Sequence, residues 1–323
     1  MDSMNIGNDA DGVEVDESNE HLRILLLGGR GAVGTVVARE LAAAGHVVTA
    51  ASRTATGVAR IDLLGDLTDL HSLAARHDVV VNASGIERPE LGTATGPTPL
   101  VDISASGAYL DALREAAVGP VVLGAGLAPG LSTILAASLD SRPDDDLDVL
   151  VMLGAGEKHG PAAVAWTVGL VGTDVHHPPE GRPVRNLGET RRATGPDGRS
   201  RRYLRADFPD HVLLDDKPGA IRSYLTLSSA PMTAALGLIG RVPVLRSTLT
   251  WAPPLGSDAW HVIAENRRSG ERRHACGTGQ SEATGRLTAL AAIRAATELR
   301  DSSRTAMTMA DLVSLGDALA VMT

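Results

Sequence analysis

From Leu22 to Leu139 short, unbroken apolar runs alternate with amphipathic stretches. Ile24–Leu27, His46–Ala51, Ala59–Leu64, Asp78–Ala83, Pro99–Ser104 and Pro120–Gly124 have the length and branching of strands buried on both faces. Between the first two, Val33, Val36, Val37 and Leu41 recur at helical spacing, and Gly45 stands where a helix needs a left-handed C-terminal residue. Gly65-Asp66-Leu67-Thr68-Asp69 opens another helix, with Thr68 or Asp69 as its cap, and Gly107–Ala117 reads as a third. Alternation of this kind predicts an α/β fold with a doubly wound parallel sheet.

The pattern changes after Pro129. A helix is predicted over Leu131–Leu139, a polar break over Arg142–Asp148, a strand over Leu147–Leu153 and a helix over Pro161–Val171. Arg182–Phe208 alternates around Gly195-Pro196-Asp197-Gly198, a hairpin turn in which Pro fixes φ and Gly accepts positive φ. Ala220–Leu227 is a further strand, and Trp260–Glu265 with Arg272–Cys276 forms a second hairpin around Ser269-Gly270. Ser281–Leu299 returns to a long Ala-rich helix, followed by a shorter one over Met309–Met322. These pairs predict a second α+β domain with a mixed or antiparallel sheet.

The turn after the first strand carries candidate chemistry. Gly29, Gly31 and Gly34 supply the spacing G-x-G-x-x-G between a buried strand and an amphipathic helix. The first glycine would allow the tight turn, the second the approach of a pyrophosphate, and the third close packing of helix on sheet. Helix N–H groups and the helix dipole would hold the phosphates. Gly29, Arg30, Gly31, Ala32, Val33 and Gly34 are therefore expected to bind a dinucleotide, in a Rossmann unit. At the end of the second strand an NAD site usually places Asp or Glu, but no acid occurs between Glu40 and Asp62. Ser52, Arg53 and Thr54 stand there instead, suited to a 2′-phosphate, so NADP is the expected cofactor. Asp66 is a candidate for the adenine edge. Asn82, Ala83, Ser84 and Gly85 follow the fourth predicted strand on the same edge and should border the cofactor.

Composition narrows the setting. The chain has 323 residues and a formal charge of −9, with 43% hydrophobic residues but only 2% aromatic ones. Ala, Val and Leu must fill the core. Residues 1–20 contain acidic groups and no Lys or Arg, and are expected to be a disordered, dispensable tail rather than a signal peptide. A single cysteine, Cys276, excludes an internal disulfide and is expected to be a small packing residue. The reducing cytoplasm is the simplest location. Ala116–Leu139 is uncharged, but Gly119-Pro120, Gly124, Gly126 and Pro129-Gly130 break it, so no membrane span is expected.

ILLLGGRGAVG, DVVVNASG, PLVDISASGAYLDAL and GAGLAPGLSTILA, in this order, resemble the saccharopine dehydrogenase-like oxidoreductases that bind NADP. The most specific segment, Gly126 to Ser132, is similar to that family's G-x-x-P-G-L turn between its two halves. The resemblance covers about residues 22–139. It implies a Rossmann domain over 21–127, a substrate and dimerisation domain over 128–279, and C-terminal helices within 280–323 that return to the first domain. It further implies reduction of C=N or C=O in a small amino- or keto-acid-like substrate, a homodimer, and a place for Gly126 beside the cofactor.

Proton transfer and substrate contact are expected from Asp102, Tyr109, Lys158 and His159. Asp102, Ser104 and Tyr109 follow the strand that should end beside the nicotinamide, although capping and core roles suit them equally. Glu157-Lys158-His159-Gly160 precedes a helix start, where Lys or His could bind a carboxylate or supply a proton. The eight arginines between Arg182 and Arg205 lack interleaved aromatics and read as a solvated strand face, not a nucleic-acid site. His176-His177 has no third ligand following at metal spacing, so no metal is expected. Tyr109, Tyr203 and Tyr224 are followed four residues on by Leu113, Asp207 and Ser228, which removes the Tyr-x-x-x-Lys pair of a short-chain dehydrogenase. An NADP-sensing or otherwise non-redox Rossmann protein is the remaining alternative.

Overall fold

The computed structural model describes residues 21–53, 59–156, 161–217, 219–251, 255–300 and 304–322. The expected acidic tail, Thr54, and the pair Lys158 and His159 lie outside the described residues.

The first sheet is built from β1 (Arg23–Leu27), β2 (Val47–Ala51), β3 (Val79–Asn82), β4 (Leu100–Asp102) and β5 (Val121–Leu123). Helices α1 (Ala32–Ala43), α2 (Thr68–Ala74), α3 (Leu91–Ala94) and α4 (Gly107–Ala116) connect them, and α5 (Leu131–Ala137) leads out. Strands in this sheet are buried on both faces, so successive residues feed two cores. Ile24, Leu26, Val79 and Val81 face a core shared with Val37 and Leu41 of α1. Leu25, Leu27 and Val80 face the other, with Leu70 of α2, Leu91 of α3 and Leu110 and Leu113 of α4.

The second half contributes β6 (Asp146–Leu153), α6 (Pro161–Leu170), β7 (Thr190–Thr194), β8 (Ser200–Arg205), α7 (Asp210–Leu213), β9 (Ala220–Leu227), α8 (Ala230–Arg241), a 3-10 helix (Pro243–Trp251), β10 (Ala259–Asn266) and β11 (Arg272–Thr278). Its six strands run β11-β10-β6-β9-β8-β7. Only β6 and β9 pair in parallel; the other neighbours are antiparallel, so the sheet is mixed. Both hairpin turns form as their glycines require, with Gly198 at φ 75° and Gly270 at φ 73°. The chain then returns through α9 (Gln280–Glu298), β12 (Ala306–Thr308), α10 (Met309–Leu312) and α11 (Leu315–Ala320). Helix α9 packs along α1 and onto β3 and β4, and Arg39 of α1 pairs with Glu282 of α9. The first sheet is wholly parallel in the order β12-β5-β4-β3-β1-β2.

Several sequence expectations need correction. Ala59–Leu64 is no strand: it makes one parallel bridge, Ser52 to Arg60, before the chain turns away. Asp62 causes the turn, its carbonyl accepting from Gly65 N (3.1 Å) and its carboxylate from Leu64 N (3.1 Å). The start of α2 is caught by neither Thr68 nor Asp69 but by Asp66, whose Oδ1 accepts from Thr68 N at 3.1 Å and Thr68 Oγ1 at 2.8 Å. The helix expected over Met309–Met322 breaks at Val313, because Ser314 caps a new one by accepting from Asp317 N. Cys276 is exposed on edge strand β11, one position out of step with buried Ala275, and so packs in no core. Arg205 does not belong to a solvated face: it is fully buried on β8, beside Glu180 and over the ring of Tyr224.

Candidate active site

The glycine turn joins β1 to α1 through two close backbone approaches. Gly28 sits at φ 85°, with Ala83 O and Ser84 Cα of the neighbouring loop 2.5 Å from where a Cβ would stand. A Cβ on Gly34 would lie 2.2 Å from Gly28 O. The tight-turn role therefore falls to Gly28, one position before the glycine that the spacing suggests. Gly31, at φ −72°, is the N-cap of α1, and Ala32 and Val33 open the helix. Gly31 is less crowded: its virtual Cβ meets Gly28 O at 3.3 Å, a tight contact, and Ala83 O at 3.9 Å. Gly29 instead packs beside Ala50 and Leu26.

At the end of β2, Arg30 reaches back from the glycine turn and donates from Nη2 to Ser52 Oγ at 3.0 Å. Arg53 follows, exposed. The Arg30 guanidinium and the Ser52 hydroxyl thus meet at the strand end beside the turn, with Arg53 next in the chain. Asp66 is exposed, and its carboxyl is held below the usual range chiefly by the Thr68 hydroxyl.

The ends of β3 and β4 are tied by one buried carboxylate. Asp102 is fully buried and accepts from Asn82 Nδ2 (2.7 Å), Tyr109 OH (2.8 Å) and Ser104 N (2.7 Å). Asn82 Oδ1 in turn accepts from Ser84 Oγ (2.6 Å) and N (3.2 Å), and Asn82 Nδ2 donates to Ile86 O (3.2 Å). Burial pushes the Asp102 carboxyl up, partly offset by these donors. Burial and the Asp102 charge push the Tyr109 hydroxyl far above its usual value. Asp102 and Tyr109 therefore face each other and hold the loop from Ala83 to Ile86, with α4 and the loop after β4, in one arrangement.

A residue that sequence reasoning missed lies at the rim. Glu87 is exposed as a residue, yet its carboxyl is crowded by protein, and this desolvation with the nearby Asp102 charge raises it; a hydrogen bond with Ser106 opposes the rise. No motif marks it, because its environment comes from β4 and α4. Helix α6 roofs the same edge. Trp166 Nε1 donates to Ala105 O at 3.2 Å, and Gly85 lies against Ala162, 2.8 Å from a virtual Cβ. Glu157–Gly160, outside the described residues, immediately precede α6. Gly126 is buried in the turn after β5, its N–H donating to Pro129 O at 3.0 Å and its carbonyl accepting from Leu131 N. Its backbone is thus committed to that turn.

Among the described residues no helix is long and apolar enough to cross a membrane. The model of the NAD dependent epimerase/dehydratase family matches residues 24–123, the stretch that forms β1 to β5. No curated protein matches the chain. The chain is similar to the solved diaminopimelate (DAP) dehydrogenase of C. glutamicum in complex with DAP, at 15% identity, 91% of this chain, 94% of that chain and a TM-score of 0.47. It is also similar to an engineered D-amino acid dehydrogenase bound to NADP+, at 14% identity, 91% and 94% coverage and a TM-score of 0.48. Dipicolinate-bound dihydrodipicolinate reductase from Paenisporosarcina sp. TG-14 gives 12% identity, 91% of this chain, 100% of that chain and a TM-score of 0.41. The sheet order and glycine turn described above make this a two-sheet protein with a Rossmann NAD(P)-binding fold.

Proposed function

We propose that the protein is an NADP(H)-dependent oxidoreductase of the saccharopine dehydrogenase-like type, reducing C=N or C=O in a small amino- or keto-acid-like substrate. The observation that carries the cofactor assignment is Arg30 on Ser52, with Arg53 next to it, beside the phosphate-binding turn. Two cations and a hydroxyl there favour a 2′-phosphate, and no carboxylate is present to hold the ribose diol of NAD instead. When bound, NADPH would supply hydride-transfer chemistry, and the chain would have to provide the accompanying proton.

The chain's own part is to bind, orient and protonate. Gly31, Ala32 and Val33 offer helix-start N–H groups to the pyrophosphate. The Asp102–Asn82–Tyr109 set fixes the loop facing the nicotinamide, so Asp102 and Tyr109 act as positioning residues. Glu87, with its raised carboxyl at the rim, is the proton donor this geometry favours, with Lys158 and His159 ahead of α6 as substrate contacts. The assembly that accompanies this reading is a cytoplasmic homodimer through the second sheet, with no nucleic-acid or membrane partner. A non-redox, NADP-sensing reading draws support from one fact: Asp102 and Tyr109 are spent on each other.

Loss of absorbance at the nicotinamide band, with candidate keto acids offered with and without amines, separates the two readings. Glu87→Gln is expected to lower turnover by about 100-fold or more while leaving NADPH affinity within twofold, as for a lost proton donor. It should also remove one limb of the pH–rate profile. Unchanged turnover in Glu87→Gln would exclude that role. If no substrate is reduced although NADPH binds, the sensing reading replaces this one.

A further inference from the structure

The sequence shows adjacent imidazoles at His176 and His177 with no third ligand following them. The fold supplies one from far upstream. Asp111 of α4 lies beside the pair, and the ligand-capable atoms of Asp111, His176 and His177 fall within 4.8 Å of one another. We propose that these three side chains bind a divalent transition-metal ion of the imidazole-preferring class, with Zn2+ as its representative.

Three features of the cluster support this. His176 Nε2 and Asp111 Oδ2 already meet at 2.8 Å, a hydrogen-bond distance that would have to open to about 3.4 Å for both to bind one tetrahedral Zn2+ with bonds of about 2.1 Å. Consecutive residues in extended backbone send their side chains to opposite sides. His177, at φ 43°, breaks that rule at a cost of about 1–2 kcal/mol, and brings the two rings to 4.1 Å. His177 is the exposed member of the three.

The surroundings hold the other two ligands in place. His176 N donates to Asp207 Oδ2 at 3.0 Å, and His211 Nε2 lies 2.6 Å from His176 O. Its ring rests on Gly107, 3.2 Å from a virtual Cβ, so a side chain there would displace it. Arg114 is the nearby cation. It is occupied with Asp215 (3.0 Å) and Val212 O (2.9 Å), and lies 4.0 Å from Asp111 Oδ1, leaving Oδ2 toward the imidazoles. Two further polar atoms of residues bonded to the His176 backbone, Asp207 Oδ1 and His211 Nδ1, are buried without a hydrogen-bond partner among the described residues. Two imidazoles and one carboxylate favour Zn2+, Ni2+ or Cu2+ over Mg2+ and Ca2+, which prefer all-oxygen shells. Three protein ligands leave a position for water. The ion would tie α4 of the first sheet unit to the loop between α6 and β7.

The test is Zn2+ binding to chelator-treated full-length protein, followed by competition with a chromophoric chelator. One equivalent is expected, weakened at least about 10–100-fold in His177→Ala and in Asp111→Asn. Co2+ in the same site should give a visible absorption band that both variants lose, and Mg2+ should not compete. His177→Ala alters an exposed side chain and keeps the test available if Asp111→Asn fails to fold. His71→Ala, remote from the cluster, should bind as wild type does. No stoichiometric binding, or binding unchanged in both variants and thus held elsewhere, would overturn the proposal. The readout is the metal itself, so it stands apart from any failure of the oxidoreductase reading.

Discussion

Gly34→Ala is expected to abolish measurable dinucleotide binding and to destabilise the protein by about 3 kcal/mol, the upper range for overpacking a close contact. The added methyl would sit 2.2 Å from Gly28 O and 2.9 Å from Gly29 Cα. Both are backbone atoms, which no rotamer change can clear, so α1 must lift from the turn. The helix-start N–H groups then lose their aim at the phosphates, for a loss of at least about 100-fold in affinity. Gly31→Ala is the informative companion. Its φ of −72° suits alanine, and its virtual Cβ meets Gly28 O at 3.3 Å, a tight contact that a small shift relieves, so the melting temperature should fall far less than in Gly34→Ala. Binding should still fall, because the added methyl would stand where the pyrophosphate would approach. Calorimetric melting with NADPH titration on both variants checks the pair. Normal binding by Gly31→Ala would mean that the turn does not hold a pyrophosphate.

The second large effect is acid destabilisation through His261. This β10 residue is 2% exposed, and its Nε2 lies 2.7 Å from Tyr203 OH of β8. Burial, then the charge of Arg201, pull its pKa down to about 4, with Asp197 opposing. An unfolded histidine takes up a proton near pH 6.5. Between about pH 6.5 and pH 4 the unfolded chain therefore binds a proton that the folded chain excludes, and stability falls as pH drops through that window. The loss is about 2.5 kcal/mol by pH 4.5. Asp102 and Asp210 carry carboxyls raised by burial, so their contributions run the other way, with stability lost as pH rises above 3.8. Comparison with His261→Gln, which keeps a partner for Tyr203, isolates the histidine. In urea unfolding at pH 7 and pH 4.5, wild type should lose about 2.5 kcal/mol more than the variant. Parallel losses would contradict the account.

The first sheet was legible because each of its connected strands is a run of apolar residues and each helix repeats at its own period. Legibility ended where structure depends on single local contacts. Ala59–Leu64 has the composition of a strand, but Asp62 folds the chain away after one bridge. β12 is three residues long and takes its place beside β5 from tertiary contact, not from any pattern of its own. Arg205 looks like its solvated neighbours in sequence, and only the packing of Glu180, Tyr224 and Ser223 O around it shows that it is core.

The candidate site divides in the same way. The glycine turn and the acid-free end of β2 follow from spacing, whereas the role of each glycine does not. Gly28 carries the positive φ, since the loop after β3 crosses directly against it. Asp102 ends β4 and Tyr109 lies in α4, and their mutual hydrogen bond makes them supports for Asn82 and its loop. Glu87 and the partnership of Asp111 with His176 arise between elements distant in sequence, where spacing carries no signal.

The central claim is that the end of β2 reads the 2′-phosphate. Its most direct measurement is fluorescence titration of wild type, Arg30→Ala and Arg53→Ala with NADPH and NADH. Each charge-assisted contact is worth about 1.5–3 kcal/mol, so NADPH should bind wild type at least about 10-fold more tightly than NADH. Either substitution should remove most of that preference by weakening NADPH alone. Equal affinity for the two cofactors in wild type, or a preference untouched by both substitutions, would contradict the account.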